Sequence, residues 1–118
     1  MPKLGISRFI VIGENDETAL MAARRAYPVW HRSFYHLYHL RDTAPAHPRP
    51  AEFDKLMERG QGVAGNPETV AEFVRSQVAE AGASYFIGQF AFGDLTLSES
   101  LRSVELFAKH VMPRINPA

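Results

Sequence analysis

The sequence predicts an α/β fold of three consecutive βα units with parallel strands. Three observations carry that prediction. Phe9-Ile10-Val11-Ile12 and Ser84-Tyr85-Phe86-Ile87-Gly88-Gln89-Phe90 are short apolar runs of the kind that become strands buried on both faces, as parallel strands are. Each strand signal is followed by a helix start: acidic residues at 14–17 after the first, Asn66-Pro67 after the weaker run Gly62-Val63-Ala64-Gly65, and Thr96-Leu97-Ser98-Glu99 after the last. Strand followed by helix, repeated in one direction with right-handed crossovers, makes a parallel sheet.

Taken in order, the first strand ends at Gly13, and a helix opens near Asp16 with Ala19, Leu20, Ala22 and Ala23 as its apolar residues. Pro28 predicts a kink or short break over Arg24 to Tyr27, because proline removes one helix hydrogen bond and crowds the carbonyl four residues back. The helical pattern then resumes to Leu40. Three prolines over residues 42–50 make that segment an extended connector. A short helix from Ala51 to Arg59 is stopped by Gly60, and the small strand 62–65 follows. The helix from Pro67 to Ala81 has Val70, Phe73, Val74, Val78 and Ala81 as its inward stripe and Gly82 as its end. After the third strand and the loop Ala91-Phe92-Gly93-Asp94-Leu95, Thr96 caps a helix lasting to about Met112, with Pro113 ending it.

At 118 residues the chain is a single domain, 1–118, able to bury about two thirds of its unfolded surface. Thirteen basic residues balance thirteen acidic ones without a run of either sign, so no nucleic acid or anionic membrane is expected as partner. The absence of cysteine excludes disulfides and thiolate metal sites, and favours a cytoplasmic setting. The opening Met-Pro-Lys-Leu-Gly lacks the apolar core of an export signal, and no window reaches the roughly 18 apolar residues of a membrane span. A soluble, unexported chain is the expectation.

The richest stretch is 27–41, Y-P-V-W-H-R-S-F-Y-H-L-Y-H-L-R. On a helix Tyr27, Trp30, Phe34 and Tyr38 share one side, and His31, Tyr35 and His39 form a neighbouring stripe. His36 and His39 are three apart, but no carboxylate stands at matching spacing, so no metal site is assigned. Packing or interface is the ordinary role of such aromatics. Gly62-x-x-Gly65-Asn66-Pro67 offers backbone N–H groups to an anion at a helix start, or is an ordinary capped turn. Gln89, an amide in an apolar strand, can serve a ligand or a neighbouring backbone. Asp94 reads as a loop or cap residue. No Ser/His/Asp set, carboxylate pair or phosphate loop is discernible, so no catalytic residue is assigned.

Several blocks together carry a resemblance: R-F-I-V-I-G, the aromatic helix, G-V-A-G-N-P-E-T-V, and S-Y-F-I-G-Q-F-A-F-G-D-L-T-L-S-E-S-L-R-S-V-E-L-F-A-K-H-V-M-P. In this order they resemble the C-terminal part of the bacterial luciferase-like flavin monooxygenases, over nearly the whole chain. The resemblance implies a TIM barrel with insertions that uses FMN or a deazaflavin with oxygen and a substrate. A full barrel takes eight βα units and about 250 residues, of which three units are expected here, the sixth to eighth. It implies that Tyr27, Trp30, His31, Phe34, Tyr35 and Tyr38 line a substrate pocket, where the residues alone read as interface or core. It places most flavin contacts on earlier strands, so Gly65 and Asn66 at the helix start and Gln89 at the strand end are the candidates left here for the cofactor.

Two functions follow as expectations. One is an oxidoreductase portion, inactive alone and retaining no flavin; the other is a non-catalytic, self-associating subunit or binding module. On this reading one sheet face has no helix to cover it, leaving some of Phe9, Val11, Tyr85 and Ile87 bare. The expected remedies are the aromatic helix folded back over that face, a homodimer with that helix in or beside its interface, or a complementing N-terminal half-barrel chain.

Overall fold

The strand β1 (Gly5–Ile12) lies at the centre of the sheet, because both other strands pair with it in parallel. In this computed structural model, which describes residues 4–115, β2 (Gly62–Gly65) runs beside its second half, from Phe9 opposite Gly62 to Ile12 opposite Gly65. On the other side β3 (Tyr85–Gln89) runs beside its first half, from Gly5 opposite Tyr85 to Phe9 opposite Gln89. The first three residues of the stretch read for an export signal lie outside the described residues.

The order β2-β1-β3 decides where the helices go. The connection from β1 to β2 steps one way across the sheet, and that from β2 to β3 steps back past β1. Right-handed crossovers in opposite directions place their helices on opposite faces. Accordingly α1 (Asp16–Leu40) and α2 (Phe53–Glu58) cover the face of Phe9, Val11 and Ala64, with Ala19, Ala23, Tyr27, Phe53 and Leu56 buried against it. The opposite face, with Ile10, Ile12 and Val63, is covered by Val70, Ala71 and Val74 of α3 (Pro67–Ala81) and by Leu106 of α4 (Leu97–Leu106).

The aromatic helix folded back, one of the expected remedies, covers Phe9 and Val11, so the bare part of the face is reduced to β3. Phe9 and Val11 are 1% and 3% exposed beneath α1, whereas Tyr85 and Ile87 on β3 stay 48% and 50% exposed. The shortfall of cover sits at one edge of the sheet.

Local signals hold at most helix starts. Asn15 caps α1 by accepting from Thr18 N–H, Asn66 caps α3 by accepting from Thr69 N–H, and Thr96 and Glu99 form a reciprocal capping box at α4. Gly82 ends α3 in the left-handed region at φ 63°. Within the expected stripe of α3, Val70 and Val74 are buried and Phe73 and Val78 pack against them, but Ala81 is exposed.

Two proline expectations change. There is no break at Arg24 to Tyr27: α1 runs unbroken through Pro28, because burial of Ala23, Ala26 and Tyr27 outweighs the roughly 3 kcal/mol that an interior proline costs. Nor does Pro113 end the last helix. α4 passes through a π-turn, Phe107–Val111, into α5 (Met112–Ile115), and the widened turn brings Pro113 into the first turn of a new segment, where a missing N–H is best tolerated.

Candidate functional site

At the C-terminal end of β1, the first turns of α1 and α4 face each other across a cleft of about 470 Å3. Its floor is apolar, from Val11, Ile12, Ala19 and Ala22, and its rim is polar, from Asn15, Thr18, Ser98, Glu99 and Arg102. The sheet explains the gap. β3 stops opposite Phe9, so beyond that point β1 has no neighbour on this side, and α4 stands in place of a strand. Crevices beyond the C-terminal ends of parallel strands, where successive connections depart in opposite directions, are where open α/β sheets bind ligands. The volume falls within the usual range of small-molecule sites.

Arg25 of α1 braces the rim. Its guanidinium donates to Asp94 Oδ1 at 3.2 Å and to both carboxylate oxygens of Glu99. That pairing, with the Thr96 N–H bond to the same carboxylate, holds Glu99 below the ordinary glutamate range, so it faces the cleft as an anion. Arg102 reaches Glu14 across the mouth at 3.2 Å. Each carboxylate on the rim has its cation, and no nucleophile stands beside a base. The arrangement suits holding a largely apolar group with a polar edge; reaction chemistry there has to come with what binds.

The aromatic stretch of α1, from Tyr27 on, performs a different task from lining this cleft. Tyr27 is fully buried and donates to the Pro50 carbonyl at 2.7 Å, Tyr35 Oη accepts from Arg49 N–H at 2.6 Å, and His31 Nε2 lies 3.1 Å from the Arg49 carbonyl. Burial pushes the Tyr27 phenol up to about 12. The Arg49 guanidinium also stands 5.8 Å from the Phe9 ring and 5.9 Å from the Trp30 ring. Tyr27, His31, Tyr35 and Trp30 thus pin the proline-rich connector onto the sheet. Phe34, stacked on Trp30 with centroids 4.9 Å apart, is 44% exposed, and Tyr38 is half-buried next to it. Among the described residues no group of three or more histidines and carboxylates converges as a metal set.

At Gly65 and Asn66, read as an anion cradle or an ordinary capped turn, the chain itself takes up the helix start. Asp16 Oδ1 accepts from Asn66 N–H at 2.8 Å and from Thr69 Oγ1 at 2.9 Å, while the Asn66 side chain takes the Thr69 N–H. A Cβ on Gly65 would lie 2.7 Å from the same carboxylate oxygen, which accounts for glycine there. Gln89 donates to Ser7 Oγ at 2.8 Å across the strands. Gly65, Asn66 and Gln89 are thus not brought together with the cleft, nor are the six aromatic-helix residues. Arg25, Ser98 and Arg102 escaped the sequence reading. The capping box marked the start of α4 but carried no sign of which helix it would face.

No protein-family model matches the sequence. An uncharacterized protein of Sinorhizobium fredii (strain NBRC 101917 / NGR234), y4wF, is 36% identical over 113 residues, covering 95% of this chain and 33% of that protein. Among solved structures, the monooxygenase RslO1 from Streptomyces bottropensis superposes with a TM-score of 0.67 at 20% identity, over 95% of this chain and 31% of that one. The oxygenating constituent of 3,6-diketocamphane monooxygenase from Pseudomonas putida, a type II Baeyer-Villiger enzyme in complex with FMN, gives a TM-score of 0.62 at 17% identity, over 95% and 33%. The chain has the fold of one portion of these monooxygenases and spans about a third of the length of the proteins it matches.

Proposed function

We propose that this chain is part of a luciferase-like, flavin-dependent monooxygenase barrel and has no activity without the rest of that barrel. One observation carries the reading: 95% of the chain superposes on about a third of two monooxygenases, one of them in complex with FMN. The cofactor is FMN or a deazaflavin, which when bound supplies the oxygen chemistry. The cleft fits one edge of such a group, with Val11, Ile12, Ala19 and Ala22 against an apolar ring and Arg102 and Ser98 at its polar rim. It does not fit the whole. Small-molecule sites bury most of their ligand, this cleft is open, and the cradle at Gly65 and Asn66 already holds Asp16. The chain's own contribution is one wall, kept in shape by Arg25 on Glu99 and Asp94.

The missing walls come from a complementing N-terminal half-barrel, on this or another polypeptide. The setting is cytoplasmic, in keeping with the absence of cysteine and with no helix among the described residues long and apolar enough to cross a membrane. The half-exposed Tyr85 and Ile87 support a second reading, a self-associating subunit without catalysis. The visible spectrum of the purified chain, before and after addition of FMN and desalting, tests the first. A colourless protein that gains no retained flavin is the expected result; one flavin per chain surviving desalting overturns it.

A further inference from the structure

The chain fixes Arg49 from both sides. Its N–H donates to Tyr35 Oη at 2.6 Å and its carbonyl lies 3.1 Å from His31 Nε2, while the Pro48 and Pro50 carbonyls on either side accept from Arg59 Nη1 at 3.5 Å and Tyr27 Oη at 2.7 Å. The guanidinium rests over the Phe9 and Trp30 rings. Such a contact uses none of the N–H donors of the fork and leaves them for a planar acceptor. Among the described residues the chain supplies no such acceptor. Arg24, Arg25, Arg75 and Arg102 each hold a carboxylate, whereas Arg49, half-buried, is held only through its backbone and by the two rings. Residues 18–51, which build the wall around it, contain one acidic residue, Asp42.

We propose that the Arg49 guanidinium is an oxyanion-binding site, which takes the carboxylate or phosphate group of a small molecule. Paired donors in a rigid fork match two oxygens of either group, and a half-buried cation pairs more strongly than one in open water. Phe9 ties the site to the sheet. Gln89 is its register partner on β3, and Ser7 stands two residues before it on β1, so both side chains share its face. α1 buries Phe9 but leaves Ser7 exposed and Gln89 half-buried, joined by the bond from the Gln89 amide to Ser7 Oγ. A ligand anchored on Arg49 therefore has the Gln89 carbonyl oxygen and the Ser7 hydroxyl nearby for its other polar atoms. The inference stands on how the chain presents Arg49 and not on the flavin reading.

Trp30, the single tryptophan, lies with its ring 5.9 Å from the guanidinium and reports on the site directly. The full 118-residue chain is titrated with inorganic phosphate and, separately, with acetate, and Trp30 fluorescence is compared with that in chloride at equal ionic strength. A saturable change that chloride does not give is expected, at least about tenfold weaker in Arg49→Gln. The oxyanion that binds more tightly names the group, phosphate or carboxylate. If Arg49→Gln fails to fold, phenylglyoxal labelling of the wild type decides: the oxyanion shields Arg49 and leaves the exposed Arg32 reactive. No saturable change, a change that chloride matches, one kept in Arg49→Gln, or labelling of Arg49 that the oxyanions do not slow overturns the proposal.

Discussion

The Ser103 hydroxyl of α4 is bonded to the backbone of Ile12 on both sides, accepting its N–H at 3.0 Å and donating to its carbonyl at 3.4 Å. Along β1 the N–H groups of Phe9 and Gly13 point to β2, so those of Ile10 and Ile12 point to the β3 side. β3 has ended by Ile12, and one serine, 1% exposed, takes the place of the missing strand. Ser103→Ala leaves that pair buried without a partner and is expected to cost about 1 to 3 kcal/mol in urea unfolding. A loss below about 0.5 kcal/mol, the usual range of an uninvolved surface site, would mean that water or a backbone shift replaces the hydroxyl.

Gly93 and Gly82 make a controlled pair. Both have positive φ, 57° and 63°, yet a Cβ at Gly93 would lie 1.9 Å from the Ala26 carbonyl oxygen of α1, while one at Gly82 meets nothing within 4 Å. Gly82→Ala is expected to lose about 1 to 2 kcal/mol from backbone strain alone. Gly93→Ala adds an overpacking cost of about 1 to 3 kcal/mol, because helix backbone cannot give way. Equal losses in the two variants would show that the loop does not press on α1 at Ala26.

Asp16 provides a pH dependence. Bonds from Asn66 N–H and then from Thr69 hold its carboxyl below its ordinary 3.8. A carboxylate whose folded value is depressed contributes its stability above the unfolded value and loses it as pH falls through the folded one. Asp16→Asn keeps the shape but not the charge. Its melting temperature is expected to lie below wild type near neutrality and to converge with it as pH falls below 3.8. Parallel curves from about pH 5 to about pH 2 would place the acid sensitivity elsewhere.

The clamp on the connector is open to proteolysis. Tyr35→Phe removes the partner of Arg49 N–H, and Tyr27→Phe that of the Pro50 carbonyl. Each is expected to cost about 1 kcal/mol and to speed tryptic cleavage after Arg41. Unchanged cleavage in both variants would show that the connector is held by Arg49 on the rings of Phe9 and Trp30 instead.

Helix starts were legible because caps are local: Asn15, Asn66 and Thr96 each bond within their own first turn. The parallel α/β character was legible for the same reason, from apolar runs followed by caps. Strand order was not, because nothing near Phe9 or Gly62 records which neighbours they will have. With β1 central, the crossovers diverge to both faces, so Phe9 and Val11 are covered while Tyr85 and Ile87 stay half-exposed. Pro28 and Pro113 misled because local cost was weighed without tertiary burial. The cleft could not be read at all, since its walls come from residues near 15 and near 100 that meet only through the sheet.

The central claim is that this chain is a working third of a flavin-dependent barrel. The most direct measurement replaces the third of the Pseudomonas putida monooxygenase on which this chain superposes, a protein seen in complex with FMN, with this chain and titrates the graft with FMN, alongside the chain alone. The account predicts a folded graft that binds one flavin and consumes oxygen when the flavin is reduced, beside a chain that retains none. A graft that folds with native-like circular dichroism yet binds no flavin would contradict it.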